Sequence, residues 1–118
     1  MLRLYTLMDS KQKQEAKYKL GICINKIISK NKARNNPDLV VSLRKLAAAC
    51  DVEYSIIQKI TSGKKDPQHT TIMSIIDGLG LSNQEFYSIY DGITEKELAE
   101  MTIQNKRIRP KSKSKSSM

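Results

Sequence analysis

The sequence predicts an all-α fold, a compact five-helix domain with a short sixth helix after it, and three observations predict it. Apolar residues recur at three- and four-residue steps within segments that polar turn signals separate. The 118 residues include no Trp and a single Phe, so the core draws mainly on Ile, Leu, Val, Ala and Met, a palette suited to packing helix against helix. Two segments also open with the pattern in which a Ser or Thr caps a helix and a Glu three residues on reaches back.

Taken in order, the first helix is expected from Ser10 to about Asn31, with Ala16, Leu20, Cys23, Ile24, Ile27 and Ile28 as its buried stripe. Asn35-Asn36-Pro37-Asp38 interrupts it, because the residue before a proline is pushed away from helix. Ser42 caps a second helix, Leu43 to Cys50, which ends at Asp51-Val52. A third runs from about Tyr54 to Ser62 and stops at Gly63, the residue that best tolerates a left-handed cap. After the loop Lys64 to Pro67, a fourth helix from about Thr70 sets Ile72, Ile75, Ile76 and Leu79 in register and ends at Gly80. Ser82-Asn83-Gln84-Glu85 opens a fifth, with Phe86, Ile89 and Tyr90 facing inward. Thr94-Glu95-Lys96-Glu97 repeats that signature ahead of Leu98 and Met101 for a short sixth helix.

The chain therefore divides into an N-terminal extension (1–9), a helical domain (10–93), a short C-terminal helix (94–105) and a tail (106–118). The tail, RIRPKSKSKSSM with the Lys before it, has too few apolar groups to offset the entropy of ordering and is expected to be disordered. Phe86, Ile89, Tyr90, Ile93, Leu98 and Met101 supply more apolar surface than a small core is expected to bury, which predicts a homodimer formed through part of it.

The formal charge of +9 is unevenly spread. Residues 1–34 carry nine basic and two acidic side chains (+7), residues 35–105 six basic and ten acidic (−4), and residues 106–118 six basic and none acidic (+6). Basic ends fit a polyanionic partner, and equally a solubility role. The longest apolar run, Leu46 to Cys50, falls far short of the roughly 20 residues a membrane helix needs. The opening MLRLYTLMDSKQK lacks the apolar length and cleavage context of a signal peptide, so a cytoplasmic location without membrane contact is expected. Cys23 and Cys50 sit at apolar positions of helical patterns, which predicts buried, reduced thiols. His69 is the only histidine and has no ligand or carboxylate partner at useful spacing. With no nucleophile–base pairing, glycine-rich phosphate loop or metal spacing, neither an enzyme nor a cofactor is expected.

The most informative stretch is LRKLAAACDVEYSIIQKITS. Two short helices joined by a three-residue turn pack at a steep angle and need a small residue where they cross. Ala47 meets that need, with Leu46, Cys50, Val52, Ile57 and Ile60 filling the wedge. From Lys45 through Tyr87, 43 residues without a gap, the sequence resembles the Xre/Cro/C1 (lambda-repressor-like) helix-turn-helix family. The features are Leu46-Ala47, Val52, Ile57 and Ile60, Gly63-Lys64 followed by Pro67, the Ile72 to Leu79 helix, and Gly80-Leu81-Ser82. Leu43 stands where the family often has Gln, Asp51 stands at the usual turn Gly, and the loop between the first two helices is longer than usual.

The resemblance implies a five-helix DNA-binding domain whose third helix enters the major groove, in a homodimeric transcriptional regulator, most simply a repressor. It places Tyr54, Ser55 and Lys59 at base-edge contacts, with Gln58 exposed beside them. Gln pairs bidentate with adenine, Lys donates to guanine, Ser is promiscuous, and Tyr stacks or donates. Ser42, Ser62, Lys64 and Lys65 are assigned to phosphates. Blander readings stay open: a solvated face for Gln58 and Lys59, a polar loop for Lys64-Lys65, a packing role for Tyr54. Glu53 is expected to cap the third helix. Two rival functions also stand, an antitoxin that represses its own operon and binds a toxin, and a helical adaptor working through protein contacts. The −4 charge of residues 35–105 favours the adaptor.

Overall fold

The structure is a computed structural model, and it describes residues 10–104. Those residues form six helices and no strand: α1 (Ser10–Arg34), α2 (Leu43–Cys50), α3 (Tyr54–Thr61), α4 (His69–Gly78), α5 (Asn83–Asp91) and α6 (95–104). The N-terminal extension and the basic tail expected from sequence lie outside the described residues.

α1 runs one turn beyond the Asn31 expected, to Arg34, and Asn35 then takes the left-handed conformation at φ 56° that ends it. Asn31 belongs to the helix, where it is buried and its Nδ2 donates to the Val40 carbonyl at 2.9 Å. That bond closes the loop back on α1. Within the loop the Asn36 side chain accepts from the Asp38 amide at 2.9 Å, an Asx turn. The long connection is thus an ordered turn held at both ends.

α1 packs against α3 and α5, α2 against α3 and α4, and α4 against α5. The shared core takes Leu20, Cys23, Ile24, Ile27 and Ile28 from α1, and Leu46, Ala47 and Cys50 from α2. Ile57 and Ile60 come from α3, Ile75, Ile76 and Leu79 from the end of α4, and Phe86 from α5, with Ile93 beyond it. Val52 and Ile72, expected in the core, are only partly buried at its edge, as is Ala16 on α1. One crossing needs glycine, because a Cβ on Gly21 would collide with the Thr61 carbonyl where α1 meets α3; where α4 meets α2, a Cβ on Gly78 would be a tight fit, 3.2 Å from the Cys50 Cβ.

Both capping boxes form. The Ser82 hydroxyl accepts from the Glu85 amide at 3.1 Å while the Glu85 carboxylate accepts from the Ser82 amide at 2.9 Å. The donated amide holds the Glu85 carboxyl below its ordinary pKa. Thr94 and Glu97 repeat the exchange at 2.9 and 3.2 Å. α6 covers residues 95–104 of the described chain, within the 94–105 expected for the short sixth helix. Glu97 also pairs with Lys26 of α1 at 3.0 Å, which ties α6 to the bundle. The Thr94 amide, then Lys26, lowers the Glu97 pKa.

The apolar surplus expected of α5 and α6 is largely absorbed by the chain itself. Phe86 and Ile93 are buried, Ile89, Tyr90 and Leu98 pack on the core, and Met101 is half-buried. Among the described residues the large apolar side chains left exposed are Tyr87 (38%) and Ile103 (50%). Both thiols are buried and unpaired, with Cys23 Sγ 3.6 Å from the Phe86 carbonyl. Removal from water pushes the Cys23 thiol up to about 12 and raises that of Cys50. No described helix is long and apolar enough to cross a membrane.

Candidate nucleic-acid interface

α2 begins at Ser42, whose backbone is extended and whose hydroxyl oxygen accepts from the Lys45 amide at 3.1 Å. That leaves Leu43 and Arg44 with the unbonded amides of the first turn's outer end, while Leu46 N–H returns to the Ser42 carbonyl. Leu46, Ala47 and Cys50 face the core, and Arg44, Lys45, Ala48 and Ala49 face water. The helix stops at Asp51, at φ 56° and ψ 46°, the left-handed conformation that a turn Gly would adopt freely. The amides of Asp51 and Val52 both donate to the Ala47 carbonyl, so the turn is closed by backbone alone.

α3 follows after Val52 and Glu53. Glu53 occupies the cap position, but its side chain makes no capping hydrogen bond, contrary to expectation. Its φ and ψ of −59° and 142° leave the carboxylate exposed, and the helix is closed by the Glu53 carbonyl, which accepts from Ile56 and Ile57. Ile57, Ile60 and Thr61 are buried. Ser55, Gln58 and Lys59 are exposed, and their one-, three- and four-residue separations place them on a single outward stripe with Ser62 at its end.

Tyr54 departs from that stripe. It is half-buried against the core, and the Arg44 guanidinium lies over its ring, 4.1 Å from the centroid. Packing therefore accounts for much of this side chain, and Arg44 becomes a site residue that sequence reasoning passed over. An exposed cation–π contact of this kind contributes about 0.5–1 kcal/mol. The contact links the first turn of α2 to the first turn of α3, a relation across a turn that spacing alone does not show.

At the other end of α3, the Lys59 carbonyl accepts from the Lys64 amide at 2.9 Å, the Lys65 amide at 3.1 Å and the Ser62 hydroxyl at 3.2 Å. Gly63, at φ 79°, makes this reversal sterically free. The backbone amides of Lys64 and Lys65 are spent on the turn, so these residues offer their exposed ammonium groups to a ligand. Ser62 donates inward and offers lone pairs outward. Of the eight residues singled out from sequence, the structure gathers Ser55, Gln58, Lys59, Ser62, Lys64 and Lys65 along α3 and the loop after it. Ser42 stands apart at the head of α2 with an exposed hydroxyl.

This arrangement sets hydrogen-bonding side chains of both signs of polarity on the outer face of one helix. Donors and a bidentate amide project from a backbone fixed by buried Ile57 and Ile60, with cations at its C-terminal end. Among the described residues no group of three or more His, Cys, Asp or Glu is placed to hold a metal ion. Comparison of the chain with protein-family models, curated proteins and solved structures finds no match.

Proposed function

We propose that this protein is a sequence-specific double-stranded DNA-binding transcriptional regulator with a lambda-repressor-like helix-turn-helix, acting as a repressor that occludes a promoter. The observation that supports it is the division of α3. Ile57 and Ile60 are fully buried while Ser55, Gln58 and Lys59 are exposed, on a helix joined to α2 by a left-handed turn at Asp51. That outer side combines an amide, a hydroxyl and an ammonium group, the side-chain types that pair with base edges in the major groove. Ser55, Gln58 and Lys59 read base edges, Tyr54 borders them, and Ser42, Ser62, Lys64 and Lys65 hold phosphates.

The protein binds as a homodimer on a two-fold site, with Tyr87 and Ile103 as the exposed apolar residues available to a pairing surface. Selection of bound sequences from random duplex, followed by mobility shift on the enriched site and on a scrambled control, tests the reading. An enriched two-fold motif bound at least a thousandfold more tightly than random duplex is the expected outcome. Failure to enrich any sequence overturns it.

A further inference from the structure

Between α1, α4 and α5 lies a cleft of about 220 Å³. One wall is a single stripe of α1, Lys13, Ala16, Lys17 and Leu20, at three- and four-residue steps. The small side chain of Ala16 in the middle of that stripe keeps the space open. Tyr87 and Tyr90 of α5 form a second wall, their rings in edge contact with centroids 5.7 Å apart and planes at 68°. Ile72 of α4 and Asp66 of the loop after α3 complete the lining. That loop is fixed against α1, where Gln14 Nε2 donates to the Gly63 carbonyl at 3.0 Å. The cleft is thus largely apolar and aromatic, with one acid and two cations a helical turn, about 6 Å, apart. None of the three takes part in an ion pair; the one formed among the described residues joins Lys26 to Glu97.

We propose that this cleft binds a small aromatic carboxylate that also carries a hydroxyl group, of the hydroxybenzoate class. Its volume exceeds the roughly 150 Å³ of an engineered cavity that holds benzene and falls short of the ~300 Å³ at which sites for drug-sized ligands begin. One ring with its substituents therefore fits, and a folded peptide segment does not. Two tyrosine rings at a steep angle offer a face and an edge to a third ring. Lys13 and Lys17 lack a protein counterion, and a carboxylate supplies one. Asp66, an acceptor only when ionised, favours a ligand with a hydroxyl to donate. A neutral aromatic would leave the ammonium groups unmatched, and an inorganic anion would leave the rings uncovered. None of the lining residues is assigned to DNA, so the site stands or falls independently of the DNA-binding reading.

The test titrates the isotope-labelled full chain with 4-hydroxybenzoate, and separately with neutral 4-hydroxybenzamide, and follows the backbone amide resonances. Saturable shifts centred on residues 13–20, Asp66, Ile72 and residues 87–90 are expected, with a Kd for the acid of about 1 mM or tighter. The amide is expected to bind about fivefold or more weakly. Replacing Lys13 and Lys17 together by Gln is expected to remove that difference. Ala16→Leu, which fills the middle of the cleft, is expected to abolish binding of both compounds. Lys13 is exposed and Lys17 half-buried, so the double variant keeps the test decisive if Ala16→Leu does not fold. Three results each overturn the proposal: no saturable shift in the parent protein, equal affinity for acid and amide, or a double variant that still prefers the acid. Shifts at the cleft that appear on raising the protein concentration alone would seat a second copy there and overturn it as well.

Discussion

Gly21 and Thr61 meet backbone to backbone: the Thr61 carbonyl occupies the position a side chain on Gly21 would need. Thr61 itself is buried, its hydroxyl donating to the Ile57 carbonyl at 3.0 Å. α1 is thereby pressed against the last turn of α3, and the outward stripe of α3 is set by what lies behind it.

Gly21→Ala tests that relation, because two effects oppose each other. Alanine is the better helix former by about 1 kcal/mol, yet its methyl meets backbone atoms that no side-chain rotation can clear. Overpacking costs about 1 to 3 kcal/mol, so a net loss of stability is expected on urea unfolding, together with weaker DNA binding as α3 shifts. A more stable variant would show that the two helices do not approach so closely.

Asp51→Gly addresses the turn between α2 and α3. Asp51 sits at φ 56° with no side-chain hydrogen bond to offset the strain. Glycine removes a left-handed penalty of about 1 to 2 kcal/mol and adds unfolded-state entropy of about 0.4 to 1 kcal/mol. A gain of up to about 1 kcal/mol is expected, with DNA affinity equal or higher since one negative charge leaves the interface. A destabilised variant would assign Asp51 a role its geometry does not reveal.

The two roles of Tyr54 separate by substitution. Tyr54→Phe keeps the ring under Arg44 and the partial burial, and removes only the hydroxyl. Unchanged stability and unchanged operator affinity are expected if the ring's work is to brace the start of α3. A drop in affinity at one operator position, with stability kept, would instead assign the hydroxyl to a base edge.

Helix identity was legible because it depends on local signals: apolar spacing, Ser42, Ser82 and Thr94 as caps, and Gly63 as a stop. The division of α3 into Ile57 and Ile60 inside and Ser55, Gln58 and Lys59 outside followed from the same periodicity. What escaped were relations between distant segments. Gly21 reads in sequence as a weak spot in a helix, and only the crossing with Thr61 explains it. Arg44 over Tyr54 and Gln14 on Gly63 likewise depend on how helices cross. Glu53 was misread for a related reason: its residue type suits a cap, but its side chain points to water. The apolar residues of α5 and α6 looked surplus because the area α1 covers is set by packing, which periodicity does not measure.

Burial of Cys23 makes stability depend on alkaline pH. Its thiol ionises only near pH 12 in the fold, whereas the unfolded thiol ionises near 9. The folded state therefore holds the proton more tightly, and this contribution is complete below about pH 9 and is lost as pH rises toward 12. Tyr90, also raised by burial, acts in the same direction. Urea midpoints are expected to fall between pH 9 and 11 in the parent protein, and less steeply in Cys23→Ala. A thiol reagent at neutral pH is expected to label neither cysteine until the protein is unfolded. Rapid labelling of Cys23 in the native protein would show that the α1–α5 packing opens readily.

Lys59→Glu bears most directly on the proposed function. Lys59 is exposed on α3, and its carbonyl, which the change leaves in place, anchors the turn through Ser62, Lys64 and Lys65. Ile57 and Ile60 stay packed on the opposite side, so the unfolding midpoint is expected to move little. At the proposed interface an ammonium donor becomes a carboxylate, which repels phosphate and can accept only from the amino groups of cytosine (N4) or adenine (N6) in the major groove, no longer donating to guanine. Affinity for the selected site is expected to fall tenfold or more, on the order of 1 to 3 kcal/mol. If Lys59 reads guanine, the loss is larger on the selected site than on random duplex, and repeated selection with the variant shifts the preferred base at one position per half-site. If Lys59 contacts only phosphate, both affinities fall together and the preferred sequence is kept. An unaltered affinity in a folded variant would remove Lys59 from the interface.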